Sequence, residues 1–281
     1  MIEKIIDGKV AERYSNGRIF NRITKMKRQN TLVRFFYFIF LIKLSYFCYA
    51  KNLATDENST QFTSLPKHCR PDIDPKLPHF IIGYGSLMQE ESKKEDSPMA
   101  GENFPIYVSG FQRGWIERGT PIGFSTIYLG VVPKKNSIIN AVYFKLNDPS
   151  QIKNYDKREN TYCRIKVPRD DIQALGSINL PEGQFWIYTT NTKQLPAPSS
   201  DYPIVQSYVD IFLSGCFGLE EKYHLKNFAR DCIKTTFNWS GHWVNDRVYP
   251  RTAFDNIPYV AKIDPLIAAE LPQLFKLIKI E

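Results

Sequence analysis

The residues best equipped for chemistry fall into two groups: a glycine-flanked turn, Gly83-Tyr84-Gly85-Ser86-Leu87, and a charged run, Asp156-Lys157-Arg158-Glu159, followed by Tyr162. Glycine at 83 and 85 permits a sharp turn that brings backbone N–H groups towards a ligand, as anion-binding concavities do. The plainer alternative is a tight turn with no ligand. Glu159 can carry a proton as a general acid or base, the alternative being an ion pair with a neighbouring arginine. Cys163 lies four residues further on, but no histidine stands at a telling position beside it, and a buried strand cysteine is expected. His68, His79, His224 and His242 are scattered and no CxxC pair occurs, so no metal site is expected.

These side chains need elements to hold them. The apolar run His79-Phe80-Ile81-Ile82-Gly83 reads as a buried strand feeding the glycine turn. Further strands are expected at 106–115, 126–132 and 138–146, the last two joined as a hairpin by Pro133-Lys134-Lys135-Asn136. Asp148 as N-cap, Pro149 at the first helical position and Gln151 closing a capping box predict a short helix to about Glu159. On it Ile152, Tyr155 and Glu159 share the apolar face, while Lys153 and Lys157 project elsewhere. Strands follow at 161–167 and 183–190. Pro196-Ala197-Pro198-Ser199-Ser200 then breaks the pattern and suggests a domain boundary. Helices are expected at 204–216, 222–236 and 265–278, flanking an aromatic and charged stretch, 239–251, that reads as a packed corner with surface pairs.

Taken in order, the Tyr84-Gly85-Ser86-Leu87 turn, Gly110-Phe111-Gln112-Arg113, Tyr128-Leu129-Gly130-Val131-Val132, Val142-Tyr143-Phe144 and the stretch 156–167 resemble the γ-glutamyl cyclotransferase superfamily over about residues 79–190. The resemblance implies an α+β fold: a small mixed β-barrel with flanking helices over 79–195, to which this chain adds a mainly helical C-terminal extension, 196–281. It also implies cyclisation of a γ-glutamyl group to 5-oxoproline without a cofactor. Glu159 is the matching acid, Tyr84, Gly85, Ser86, Leu87 and Tyr162 would line the substrate site, and Arg113 would contact a substrate carboxylate, the alternative for Arg113 being a structural ion pair. The competing reading is a noncatalytic module of the same fold that binds a small acidic ligand.

The chain has 281 residues, 43% of them apolar, enough for a sizeable core, and a net charge of +8. Ten of its 37 Lys and Arg and three of its 29 Asp and Glu lie within 1–50, so the rest is nearly balanced. That balance offers no electrostatic footprint for nucleic acid. Lys25, Lys27, Arg28 and Arg34 precede the apolar run 35–42, which resumes after Lys43 and continues to Ala50. This layout reads as a signal peptide or, if uncleaved, a membrane anchor, with Met26 an alternative start. Export is therefore expected. The polar arm at 51–78 is assigned little function. Cys69, Cys163, Cys216 and Cys232 would then meet an oxidising compartment, where three pairings are open and the 216/232 spacing suits a helical hairpin; four buried thiols are the alternative.

Overall fold

The computed structural model describes residues 69–119, 125–192, 194–252 and 258–281. The expected export segment, both candidate starts and most of the arm lie outside them. No described helix is long and apolar enough to cross a membrane.

Strand β1 (His79–Gly83) is buried along its whole length because it lies inside a mixed sheet, parallel to one neighbour and antiparallel to the other. With β2 (Phe104–Arg118), β3 (Ile127–Leu146), β4 (Tyr162–Val167), β5 (Ile172–Ala174) and β6 (Gln184–Thr190), it gives the order β4-β6-β1-β3-β2-β5. Among the described residues β4 and β5 end this path, and the sheet curls into a half-barrel. Alternation along β1 divides two cores: Phe80 and Ile82 pack on one face with Val108, Ile139 and Phe185, whereas Ile81 packs on the other with Phe144, Trp186 and Tyr155.

The hairpin expected at 133–136 does not form. Phe111 faces Pro133 and Ser109 faces Ile138, so both halves of β3 pair with the same strand and the chain never reverses. The intervening residues bulge from the ladder, with Asn136 at φ 62° opposite Gly110 at φ 83°. The residues that punctuate a turn here punctuate a bulge.

The expected helix is present as a 3-10 turn (Pro149–Gln151) running into α2 (Ile152–Arg158), after the short α1 (Glu90–Asp96). The Asp148 carboxylate accepts from the Ser150 amide at 2.8 Å, and the Gln151 side chain closes the capping box. Downstream, α3 (Gln206–Lys222) and α4 (Phe228–Lys234) form a helical hairpin joined by a Cys216–Cys232 disulfide, and Cys69 pairs with Cys163. Cys163 is thus a disulfide partner rather than a free buried thiol.

Pro196–Ser200 does not separate two bodies: the described residues belong to one compact unit. Trp115, Leu129 and Val142 of the sheet share a core with Val209, Phe212 and Phe228 of the hairpin, which covers apolar side chains that would otherwise meet water. A small sheet of β7 (Ile204–Val205), β9 (Trp243–Asn245) and β10 (Lys279–Ile280), all paired in parallel, closes this side, while β8 (Thr236–Phe237) adds to β2. The aromatic and charged stretch is a packed corner, as expected. Trp239 lies 5.1 Å from Trp115 and 5.2 Å from Trp243 between ring centres, and Arg247 forms forked bonds of 2.7 to 2.9 Å to Asp210 and Asp264. Asp210 lies on α3 and Asp264 on α5 (Val260–Glu270), which precedes α6 (Pro272–Phe275).

Candidate active site

Beyond β1 the chain turns at once into a 3-10 turn, Ser86–Met88, closed by the Met88 amide donating to the Gly85 carbonyl at 3.0 Å. Both glycines answer to close approach. A Cβ on Gly83 would sit 2.8 Å from that of Leu87, and one on Gly85 would sit 2.7 Å from the Tyr208 hydroxyl. The tight turn is therefore also a wall: Tyr84, Gly85, Ser86 and Leu87 line a cavity of about 350 Å³.

Glu159 faces the same cavity, as does Tyr162. It follows the last residue of α2, its amide donating to the Tyr155 carbonyl at 2.8 Å and its carbonyl accepting from the Tyr162 amide at 3.1 Å, so the side chain leaves a tight helix end. Its carboxylate is 18% exposed and lies 3.5 Å from Nε of Arg158, another cavity residue. The ion pair and the cavity position, alternatives in the sequence, occur together. Asp156 instead turns to the back of the site, accepting from Arg164 at 2.9 and 3.2 Å and from the Tyr188 hydroxyl at 2.7 Å.

Tyrosine dominates the wall. Tyr84 donates its hydroxyl to the Tyr188 carbonyl at 2.7 Å, and burial, reinforced by the nearby Glu159 charge, holds its pKa well above the ordinary value. Burial does the same at Tyr162, followed by the charge of Glu117. Tyr208, from α3, is pushed up to about 12 by burial, against hydrogen bonds with the Ser86 backbone and side chain that pull it down. These phenols are neutral at physiological pH; the Tyr84 proton is committed to the Tyr188 carbonyl, whereas the hydroxyls of Tyr162 and Tyr208 can donate to developing negative charge. Tyr188, Tyr128 and Tyr208 were missed in the sequence, where their spacing marks them only as core.

Arg113 does not reach the cavity, which corrects its expected role. It is completely buried, and its guanidinium donates to Thr236 Oγ1, Asn140 O, Asn140 Oδ1, Cys232 O and Thr235 Oγ1 at 2.8 to 2.9 Å and to the Tyr84 carbonyl at 3.2 Å. Its five N–H groups are all engaged, leaving no donor for a substrate carboxylate. It braces the turn from behind.

A second carboxyl, Glu117 of β2, lies where the β2–β3 register shifts. Burial, followed by the Glu159 charge, raises its pKa from 4.5 to about 7, while Thr190 and Thr161 pull the other way. Below the unfolded value it is protonated in both states and contributes nothing; above the folded value its ionisation opposes folding in full. Glu117→Gln should therefore raise the melting temperature relative to wild type at pH 8.5 and leave it close to wild type at pH 4, measured by circular dichroism. Among the described residues no group of three or more His, Cys, Asp or Glu could hold a metal ion.

No protein-family model matches the chain, and no curated protein matches it. Solved structures similar to it include a γ-glutamyl cyclotransferase, over 68% of this chain and 99% of that one, at 12% identity and a TM-score of 0.42. An uncharacterized protein, loc79017, from Homo sapiens is similar over 58% of this chain and 91% of that one, at 13% identity and a TM-score of 0.42. A γ-glutamyl cyclotransferase specific to glutathione from yeast is similar over 58% and 99%, at 12% identity and a TM-score of 0.32.

Proposed function

We propose that this chain is an exported γ-glutamyl cyclotransferase-type enzyme that converts a small γ-glutamyl amine or peptide to 5-oxoproline, releasing the amine or amino acid. The observation that carries the reading is that Glu159 and the Tyr84–Leu87 turn, far apart in sequence, line one cavity. Its volume of about 350 Å³ is of the size that holds a small ligand.

The substrate's α-amine, with a pKa near 8, arrives largely protonated and must lose a proton before it can attack. Glu159 accepts that proton. The free amine attacks the γ-carbonyl of its own molecule, forming the ring C–N bond and placing negative charge on the carbonyl oxygen. Amides of the turn and the neutral Tyr162 and Tyr208 hydroxyls are the donors proposed for that oxygen. As the intermediate collapses, the original amide C–N bond breaks and Glu159 returns its proton to the leaving nitrogen; the ring nitrogen then gives up its extra proton to the same carboxylate, which passes it to the freed amine. One amide bond forms, one breaks, and no water is consumed. Because nucleophile and electrophile share a molecule, the protein's main task is to hold the substrate in a ring-closing shape. Arg158, not Arg113, is the cavity cation able to meet the α-carboxylate.

A carboxylate is a poor choice for a site that merely binds an acidic ligand, since it repels the ligand and adds desolvation cost. Two disulfides and the basic-then-apolar layout of 1–50 support export. To test the reading, the full chain with its disulfides intact is incubated with a panel of γ-glutamyl dipeptides and amines. The expected result is 5-oxoproline in equal amount with the freed amine. Tight binding of a panel member with no product would overturn the enzyme in favour of the binding module.

A further inference from the structure

The site reaches into the segment that precedes the sheet. Residues 69–71 lie against β4, fixed by the Cys69–Cys163 disulfide, by the Arg70 amide donating to the Arg164 carbonyl at 2.8 Å, and by Arg164 Nη2 donating to the Pro71 carbonyl at 3.1 Å. This clamp aims one side chain at the catalytic turn. Arg70 Nη2 donates to the Glu159 carbonyl at 2.8 Å and approaches the Tyr162 carbonyl at 3.4 Å, and its Nε lies 3.9 Å from the Asp156 carboxylate. A single guanidinium thus grips the end of α2 and both ends of the 159–162 turn that carries the two cavity residues.

The backbone of Arg70 is unusual for what it holds. Its φ of 54° lies in the left-handed region, which a residue with a long side chain adopts at a cost unless its surroundings impose it. The disulfide at the preceding residue and the Arg70 amide's bond to the Arg164 carbonyl tie the backbone down at this point. Nothing about the polar arm suggested this in the sequence, because Arg70 meets Glu159 only through the fold.

We infer that Arg70 is a positioning residue for the Glu159 carboxyl, and that the Cys69–Cys163 disulfide makes its grip depend on an oxidising environment. The inference rests on the reading of Glu159 as proton carrier. Arg70 touches main-chain oxygens and a neighbouring carboxylate, so it acts through the placement of Glu159 and not on the substrate. Loss of the grip lets the turn shift, and misplacement of a reacting group by about 1 Å can cost up to about 100-fold in rate.

The test compares Arg70→Ala, Arg70→Lys and the double variant Cys69→Ser/Cys163→Ser in the full chain, with folding checked by far-UV circular dichroism. Two readouts are used: kcat and KM for 5-oxoproline release, and the pH titration of the Glu159 carboxyl by 13C NMR, assigned with Glu159→Gln. Arg70→Ala and the double cysteine variant should each lower kcat about 10-fold with KM within about two-fold, a split that marks lost positioning rather than lost binding. Both should also displace the Glu159 titration, and Arg70→Lys should recover part of each effect. A folded Arg70→Ala protein with an unchanged Glu159 titration overturns the inference. The NMR arm decides it even where wild type turns over no member of the panel, an outcome that would count against the proposed reaction alone.

Discussion

Glu159→Gln is expected to lower kcat for 5-oxoproline release by about 1000-fold, within the span usual for loss of a positioned proton carrier. The amide is nearly isosteric with the carboxylate and keeps an oxygen towards Arg158, but it cannot take a proton from the substrate amine or return one to the leaving nitrogen. Both halves of the reaction fail at one atom. The protein should remain folded, because the Arg158–Glu159 pair at 3.5 Å joins side chains that are 31% and 18% exposed, and such partly solvated pairs contribute about 1 kcal/mol at most. The KM should change little, since ground-state binding falls to the turn, Arg158 and the tyrosines. The measurement is 5-oxoproline release under saturating substrate beside a thermal melt. Activity surviving in a folded variant would remove Glu159 from the mechanism.

The second large effect is on stability. Arg113→Met should destabilise the protein by roughly 3 to 5 kcal/mol, the scale of breaking a buried, fully bonded polar network from one side. Arg113 sits between the sheet and the α3–α4 hairpin, with its guanidinium 4.7 Å from the centre of the Phe212 ring. Methionine fills part of the volume, but carbonyls such as those of Asn140 and Tyr84 lose their donor in a site water does not reach. Arg113→Lys should recover little, because one ammonium cannot span acceptors arranged for a planar fork. Since domain stability is usually about 5 to 15 kcal/mol, the loss is a large fraction of the whole. Urea unfolding checks it. If Arg113→Met were as stable as wild type but raised KM selectively for substrates bearing a free α-carboxylate, Arg113 would belong to the substrate site after all.

What could be read from the sequence was whatever is decided locally. A buried run ending in Gly83-Tyr84-Gly85 specifies β1 and its turn, and Asp148-Pro149 with Gln151 specifies a helix start within four residues. The 216/232 spacing likewise met a real helical hairpin. Where residue types serve two geometries, the sequence could not choose between them. Pro133-Lys134-Lys135-Asn136 satisfies a turn and a bulge equally, and only the shared partner strand separates them. An arginine in a strand can reach a ligand or brace a core, and Arg113 braces. Tyr208 carries the same periodic signal as the core residues around it, because which buried face borders the cavity is a property of packing, not of the helix.

The α3 helix gives the site a division of labour. Glu159 and the glycine turn are carried by the half-barrel and its short helix, while Tyr208 and Ile211 add to the cavity lining from a helix beyond the last long strand. Under the proposed function, substitution of Ile211 remodels the room for a leaving group while Glu159 and the turn stay in place. On that same reading, a change in preference among γ-glutamyl compounds can accumulate at Ile211 without a matching sacrifice of turnover, whereas Tyr208 is held in place by its hydroxyl.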